Sequence, residues 1–344
     1  MFQKIIISHS EDPDGIISHA LLLRHFTSGK CNLLHAKDWQ YFIDYNQQLL
    51  FMDQLAPTSN YKDIYYLDLS LNDNLIHQDK RFSIIHWLAT YNYLTWIDHH
   101  DSTAKHQQLL RQLGAKVISG LEQQLCSSSL VQKEYLSQDD YARWLALIAQ
   151  GHDFSTFPIP EAEKKLGIDL QKIISLYNLS SKCQSQLTFL TKILARDESW
   201  TKKGNFASPF AEDLQRYQAH EQQALSELEQ SAKTVSIGKR KFLLAYSDPL
   251  LPPKDAPRYL RSKYEHQADG YLVVFGAPKN QAMFFHDLES DFDAAKFCAA
   301  QPGGGGREGD GGFRLNSEVN SLTFPQIKES LVQSLKLYLQ NDKA

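Results

Sequence analysis

The sequence is poor in cysteine. Of 344 residues, only Cys31, Cys126, Cys183 and Cys298 carry a thiol. They lie far apart and form no Cys-x-x-Cys pair, which argues against a disulfide framework or a zinc knuckle and fits a reducing compartment. Long apolar runs are missing too: none reaches the roughly 18 residues that a membrane-spanning helix needs. The start, MFQKIIISHSEDPDG, holds one short apolar run followed at once by acids, too short and too acidic for a secretory leader. The reading is a cytoplasmic protein with no membrane partner. Nor is there an excess of positive charge. Lys and Arg number 36 against 40 Asp and Glu, a formal net charge of −4. A long duplex needs many phosphate contacts and is not an expected partner, whereas a small anion needs only a few local cations. Internal repeats are absent, and the glycine cluster Gly303–Gly312 is the only low-complexity stretch.

What is present has the rhythm of an α/β protein. At roughly 100–200 residues per domain, the length predicts two domains. Ile5–Ser8, Asp63–Leu67 and Tyr93–Ile97 are short apolar runs of strand type, and Val117-Ile118 suggests a further strand. Helices are predicted over Ile16–Phe26, Asn74–Leu88, Ser128–Tyr135 and Asp140–Gln150. Strands alternating with helices predict a parallel sheet, whose ligands gather beyond the carboxyl ends of the strands. Phe157–Pro160 breaks the pattern, and a mostly helical stretch follows, including a polar helix over Glu212–Ser231. From Lys233 a second α/β pattern begins, with strands at Thr234–Ile237, Phe242–Tyr246, Tyr271–Phe275 and Ala282–Phe285. Its helices are expected at Pro257–Glu265, Asp293–Ala300 and Pro325–Leu339. The expected division is a catalytic domain over 1–160, a helical connector over 161–232 and a smaller domain over 233–344.

The chemistry-bearing residues stand where strands or helices end. His9, Asp12 and Asp14 lie on the Pro- and Gly-containing loop after the first strand; Asp68 ends the second, and Asp98-His99-His100 follows the third. Asp153 ends a helix. Alone, Asp12 reads as a helix cap, Asp68 as a turn residue and Asp153 as nothing in particular. Together they would converge on one rim of a parallel sheet. Bare carboxylates crowded there would repel one another and shift each other's pKa. A pair of divalent cations resolves the conflict, and oxygen and imidazole donors without thiolate favour Mn²⁺ over a structural zinc, with Mg²⁺ or Co²⁺ as alternatives.

In this order, His-x-x-Asp-x-Asp-Gly, a lone Asp after a strand, Asp-His-His and a later Asp resemble motifs I to IV of the DHH phosphoesterases. The tail Pro302-Gly-Gly-Gly-Gly-Arg-Glu-Gly-Asp-Gly-Gly-Phe313 resembles the glycine-rich segment of the DHHA1 domain, with Arg307 where that segment usually carries His. Leu125-Cys-Ser-Ser-Ser-Leu130 resembles the small-polar segment of nanoRNase-like members. The resemblance spans nearly the whole chain. It implies a parallel-sheet N-terminal DHH domain, a smaller α/β DHHA1 domain, and hydrolysis of short oligonucleotides or linear dinucleotides to mononucleotides. Hydrolysis of 3′-phosphoadenosine 5′-phosphate, of polyphosphate or of pyrophosphate is the alternative, and a nucleotide-binding sensor is the non-enzymatic one. By the same resemblance, His9, Asp12 and Asp68 would take one cation, and Asp14, Asp68, His99 and Asp153 the other. His100 would face the substrate phosphate and Asp98 would orient a histidine. Gly304, Gly305, Gly306 and Arg307 would grip a phosphate, the glycines as an anion nest of N–H groups. A homodimer stays open.

Overall fold

The computed structural model describes residues 4–27, 40–44, 63–71, 93–120, 125–154, 157–202, 205–208, 210–265, 267–287, 289–302, 304–307 and 309–341. They form two compact units, Met1–Leu214 and Gln215–Ala344. The expected helix over Asn74–Leu88 lies outside the described residues.

The first unit is built on a parallel sheet of β1 (Lys4–His9), β2 (Gln40–Ile43), β3 (Asp63–Leu67), β4 (Tyr93–Asp98) and β5 (Lys116–Ser119), in the order β2-β1-β3-β4-β5. Strand side chains alternate between faces, and here both faces are buried. Ile5, Ile7, Ile64, Tyr66 and Trp96 enter one core; Ile6, Leu67 and Ile97 enter the other. A sheet covered on both sides needs apolar residues at every position, which is why these strands read as continuous runs and not as alternations.

The helices of this unit are α1 (Pro13–Thr27), α2 (Asp101–Gln112), α3 (Ser127–Tyr135), α4 (Asp140–Asp153), α5 (Glu161–Asn178) and α6 (Cys183–Leu194). Here the structure differs from the expected division. Residues 161–194 do not form a connector. Leu166, Leu170, Ile173 and Ile174 of α5 and Leu187, Leu190 and Leu194 of α6 are buried in the same core as Ile16, Ala20 and Leu21 of α1. The spacing of four, three and one along α5 makes an apolar stripe, and a helix with such a stripe must bury it. Only α7 (Phe210–Ser231) runs past the boundary between the units. A hairpin of β6 (Thr201–Lys202) and β7 (Asn205–Phe206) precedes it.

The second unit holds β8 (Lys233–Ile237), β9 (Arg240–Ser247), β10 (Gly270–Phe275), β11 (Gln281–His286), β12 (Gly305–Arg307) and β13 (Asp310–Arg314) in one mixed sheet, order β12-β13-β11-β10-β9-β8. β9 and β10 are parallel and every other neighbour pair is antiparallel. Helices α8 (Asp255–Lys263), α9 (Ala294–Ala299) and α10 (Phe324–Asn341) cover it. Leu260 of α8 packs with Leu243 and Val273 on one face; Phe297 of α9 and Leu331 and Leu335 of α10 pack with Phe242, Leu244 and Phe284 on the other.

Candidate metal centre

β1, β3 and β4 lie side by side and run the same way, so their carboxyl ends place His9, Asp68 and Asp98 on one rim. The loop after β1 turns directly into α1. Asp12 Oδ1 accepts the Gly15 N–H at 3.0 Å, so this carboxylate caps α1 with one oxygen. Its other oxygen lies 3.1 Å from His9 Nδ1. Gly15 is required by close approach: a Cβ there would stand 2.3 Å from the His9 carbonyl oxygen. Two side chains of α5 hold the same loop, Gln171 donating to the Glu11 carbonyl at 2.8 Å and Asn178 to the Ser10 carbonyl at 2.7 Å.

Asp68 sits at the centre, 1% exposed. Its φ of 57° is in the left-handed region, which Asp and Asn tolerate better than other side-chain-bearing residues. The two carboxylate oxygens face different neighbours: Oδ2 is 3.6 Å from His9 Nδ1, and Oδ1 is 3.4 Å from His99 Nε2. His99 Nε2 also lies 3.4 Å from Asp153 Oδ2 and 3.8 Å from Asp14 Oδ2. Two clusters with metal-ligand spacing therefore share one residue: His9, Asp12 and Asp68, and Asp68 with His99 and His100. The first is the ligand set expected for one cation. The second includes His100, for which a substrate role was expected. Asp14 and Asp153 join this half through His99.

Asp14 is held more firmly than the sequence suggested. Its Oδ2 accepts the Ser127 N–H at 2.8 Å, and its Oδ1 accepts the Ser128 N–H at 2.8 Å and the Ser128 hydroxyl at 2.5 Å. The carboxylate thus satisfies the start of α3, where N–H groups have no helical partner. Ser127 in turn donates its hydroxyl to Asp68 Oδ1 at 3.1 Å. The side chain of Gln150, on α4 one turn before Asp153, accepts the Cys126 N–H and the Ser129 hydroxyl, both at 2.9 Å. Gln150, Gln171 and Asn178 were not singled out from sequence, and Ser127 and Ser128 only as part of the small-polar segment Leu125–Leu130, with no role in the cluster. The run Cys-Ser-Ser-Ser before an apolar stretch was the available sign, since small hydroxyl residues mark helix starts.

His100 and Asp98 form a pair, with Nδ1 2.7 Å from Oδ1 and the carboxylate fully buried. Burial works to raise the Asp98 pKa, but the charge and hydrogen bond of His100 prevail and hold it at about 2. Burial likewise opposes ionisation of Asp12, yet His9 keeps it well below the carboxylate range. Asp14 goes the other way: burial, reinforced by the Asp68 carboxylate, pushes it well above that range. Burial disfavours a charged His99, but Asp68, Asp153 and Asp14 outweigh it and push the imidazole up to about 10. The cluster sets five carboxylates, Asp12, Asp14, Asp68, Asp98 and Asp153, against three imidazoles, His9, His99 and His100. Oδ2 of Asp68 and Oδ2 of Asp153 are buried without a hydrogen-bond partner among the described residues. Buried carboxylate oxygens left this way are costly. Oxygen and imidazole donors aimed inward, with orphaned carboxylate oxygens between them, fit divalent cations.

The glycine-rich segment takes a form the sequence did not predict. Gly305–Arg307 and Asp310–Arg314 are the two strands of a hairpin. In extended backbone successive N–H groups point to opposite sides, so Gly305, Gly306 and Arg307 form a ladder instead of the expected anion nest. Packing accounts for most of the glycines: a Cβ on Gly304 would meet the Cys298 carbonyl oxygen at 1.9 Å, and one on Gly306 the Asp310 carbonyl oxygen at 2.2 Å. At Gly305 a Cβ would meet nothing within 4 Å. The Arg307 side chain lies outside the described residues.

The chain matches no protein-family model and no curated protein. Solved structures do match. The DHH domain of a member of a ribosomal-protein family aligns at a TM-score of 0.59 and 14% identity, over 97% of this chain and 87% of that one. CDC45 from Entamoeba histolytica aligns at 0.53 and 10% identity, over 97% and 95%. RecJ from Thermus thermophilus aligns at 0.43 and 14% identity, over 98% of this chain and 50% of that one, too loosely to carry an argument. The fold is therefore shared with that solved DHH domain and with CDC45. At these identities the likeness is one of fold, and the chemistry rests on the residues described above.

Proposed function

We propose that this protein is a metal-dependent phosphoesterase that hydrolyses short oligonucleotides or linear dinucleotides to mononucleotides. The observation that carries the reading is the division of Asp68 between two histidine-containing clusters, one carboxylate oxygen toward each. A carboxylate shared this way is the usual bridge of a two-cation hydrolase. His9, Asp12 and Asp68 would hold one cation; Asp68, Asp14, His99 and Asp153 would hold the other, with Mn²⁺ the preferred ion. When bound, the cations supply Lewis-acid chemistry: they acidify water and neutralise charge developing on phosphate oxygens.

The chain's own residues do the rest. Ser127, Ser128 and Gly15 orient the carboxylates, so the ligand geometry is set before substrate arrives. Asp98 holds His100 by Nδ1 and so fixes the orientation of its ring. His100 Nε2 is the atom proposed to donate to a non-bridging phosphate oxygen, where negative charge builds in the transition state. In the second unit, Gly304, Gly305, Gly306 and Arg307 are the residues proposed to bind a phosphate. The net charge of −4 supports a short substrate, because it offers little attraction to the many phosphates of a long strand.

The test is a substrate panel at fixed salt with Mn²⁺ or Mg²⁺: RNAs and DNAs of increasing length, linear dinucleotides, 3′-phosphoadenosine 5′-phosphate and pyrophosphate. The expected result is highest kcat/KM on dinucleotides, falling with length. Equal or better efficiency on long strands would contradict the short-substrate reading.

A further inference from the structure

We infer that the Ser127 hydroxyl is a positioning group that makes Asp68 bridge two cations instead of serving one; this rests on the two-cation reading of the cluster. Ser127 is fully buried at the first position of α3, 59 residues from Asp68 in sequence. The described partner of its hydroxyl is Asp68 Oδ1, at 3.1 Å. That bond fixes the plane of the carboxylate about its last torsion. In the plane observed, Oδ1 faces His99 at 3.4 Å and Oδ2 faces His9 at 3.6 Å, so each oxygen belongs to a different half. A carboxylate attached to rigid backbone and lacking that bond can rotate. It can then give both oxygens to whichever cation binds first, at the expense of the second.

Several contacts fix Ser127 without its hydroxyl. Its own N–H and that of Ser128 are held by Asp14, each at 2.8 Å, and the preceding Cys126 N–H is held by Gln150 at 2.9 Å. Asp68 is anchored by its N–H to the Ile97 carbonyl at 3.0 Å. Donor and acceptor are therefore placed independently, and the hydroxyl is the link between them. Losing it should change how the carboxylate is shared more than whether α3 forms.

The experiment is calorimetric titration of the chelator-stripped full-length protein with Mn²⁺, comparing the native chain with Ser127→Ala and Ser127→Thr. In Ser127→Ala the first binding event should stay within about twofold of native. The second should weaken by about 10–100-fold, the usual cost of removing a group that orients a ligand. Ser127→Thr keeps a hydroxyl and should restore the second event. Two unchanged events, or two events weakened in parallel, would overturn the inference. If Ser127→Ala does not fold, Ser127→Cys, of similar size with a poor donor, is read by the same criterion. A native chain that binds fewer than two Mn²⁺ would instead overturn the two-cation reading itself.

Discussion

Asp98 and His100 are joined by a contact of 2.7 Å between Oδ1 and Nδ1, with the carboxylate fully buried at the end of β4 and the imidazole partly exposed beside the cluster. The buried partner fixes which ring nitrogen faces outward. Asp98→Asn should therefore leave the cluster's ligands in place but loosen the hold on the His100 ring. The expected outcome is a fall in kcat of about 10–100-fold with KM little changed. Steady-state kinetics on a dinucleotide checks this, and an unchanged kcat would remove His100 from the reaction.

Asp68→Asn separates charge from backbone geometry, because Asn also tolerates the φ of 57° that Asp68 adopts. It should reduce single-turnover rates at least about tenfold more than His9→Ala. The first change alters the residue shared by both clusters, the second a ligand of only one. Equal rates in the two variants would show that Asp68 is not the bridge.

His19 gives a pH dependence that is independent of the metal centre. It is fully buried on α1, its ring stacks on Phe42 at 4.5 Å, and Ser8 Oγ lies 2.8 Å from its Nδ1. Burial lowers its pKa to about 3 from an ordinary value of 6.5. Above pH 6.5 the ring is neutral in both folded and unfolded chains and contributes no slope. Between 6.5 and about 3 only the unfolded chain takes up this proton, so stability falls as pH falls, by up to about 1.4 kcal/mol per pH unit. Urea unfolding with chelator from pH 7 to 4 should show that extra slope in the native chain and its loss in His19→Gln. The same slope in both would contradict the assignment.

The hairpin glycines should divide by what surrounds them. Gly306→Ala places a Cβ 2.2 Å from the Asp310 carbonyl oxygen and should destabilise by about 1–3 kcal/mol through overpacking. Gly305→Ala meets nothing within 4 Å and should stay within about 0.5 kcal/mol of native. Chemical unfolding checks both. If Gly305 contacts substrate, its variant will still raise KM.

Much of the first unit was legible because its physics is local. A parallel strand buried on both faces is a short apolar run, so β1, β3 and β4 were found to within a residue or two, and Asp68 and Asp98 stood visibly at their ends. β2 was missed: Gln40–Ile43 is four residues long and opens on a polar side chain. α2 was missed because only Thr103 and Leu110 of its twelve residues are buried, leaving no apolar stripe to read. The orienting contacts were illegible for another reason. Ser128 reaches Asp14 across 114 residues and Gln171 reaches the loop after β1 across 160, and no local pattern encodes such meetings. The glycine cluster was visible in the sequence, but its extended conformation depends on pairing with β13, which the glycines alone do not specify.

The central claim is that the shared carboxylate marks a two-cation phosphoesterase. It is tested most directly by the rate of dinucleotide hydrolysis by the full-length protein, after chelation and then across a Mn²⁺ titration. The account predicts no turnover in chelator, restoration as Mn²⁺ is added, and no restoration in Asp68→Asn. Hydrolysis that persists in chelator, or a native chain inactive on every phosphoester at saturating Mn²⁺, would contradict it.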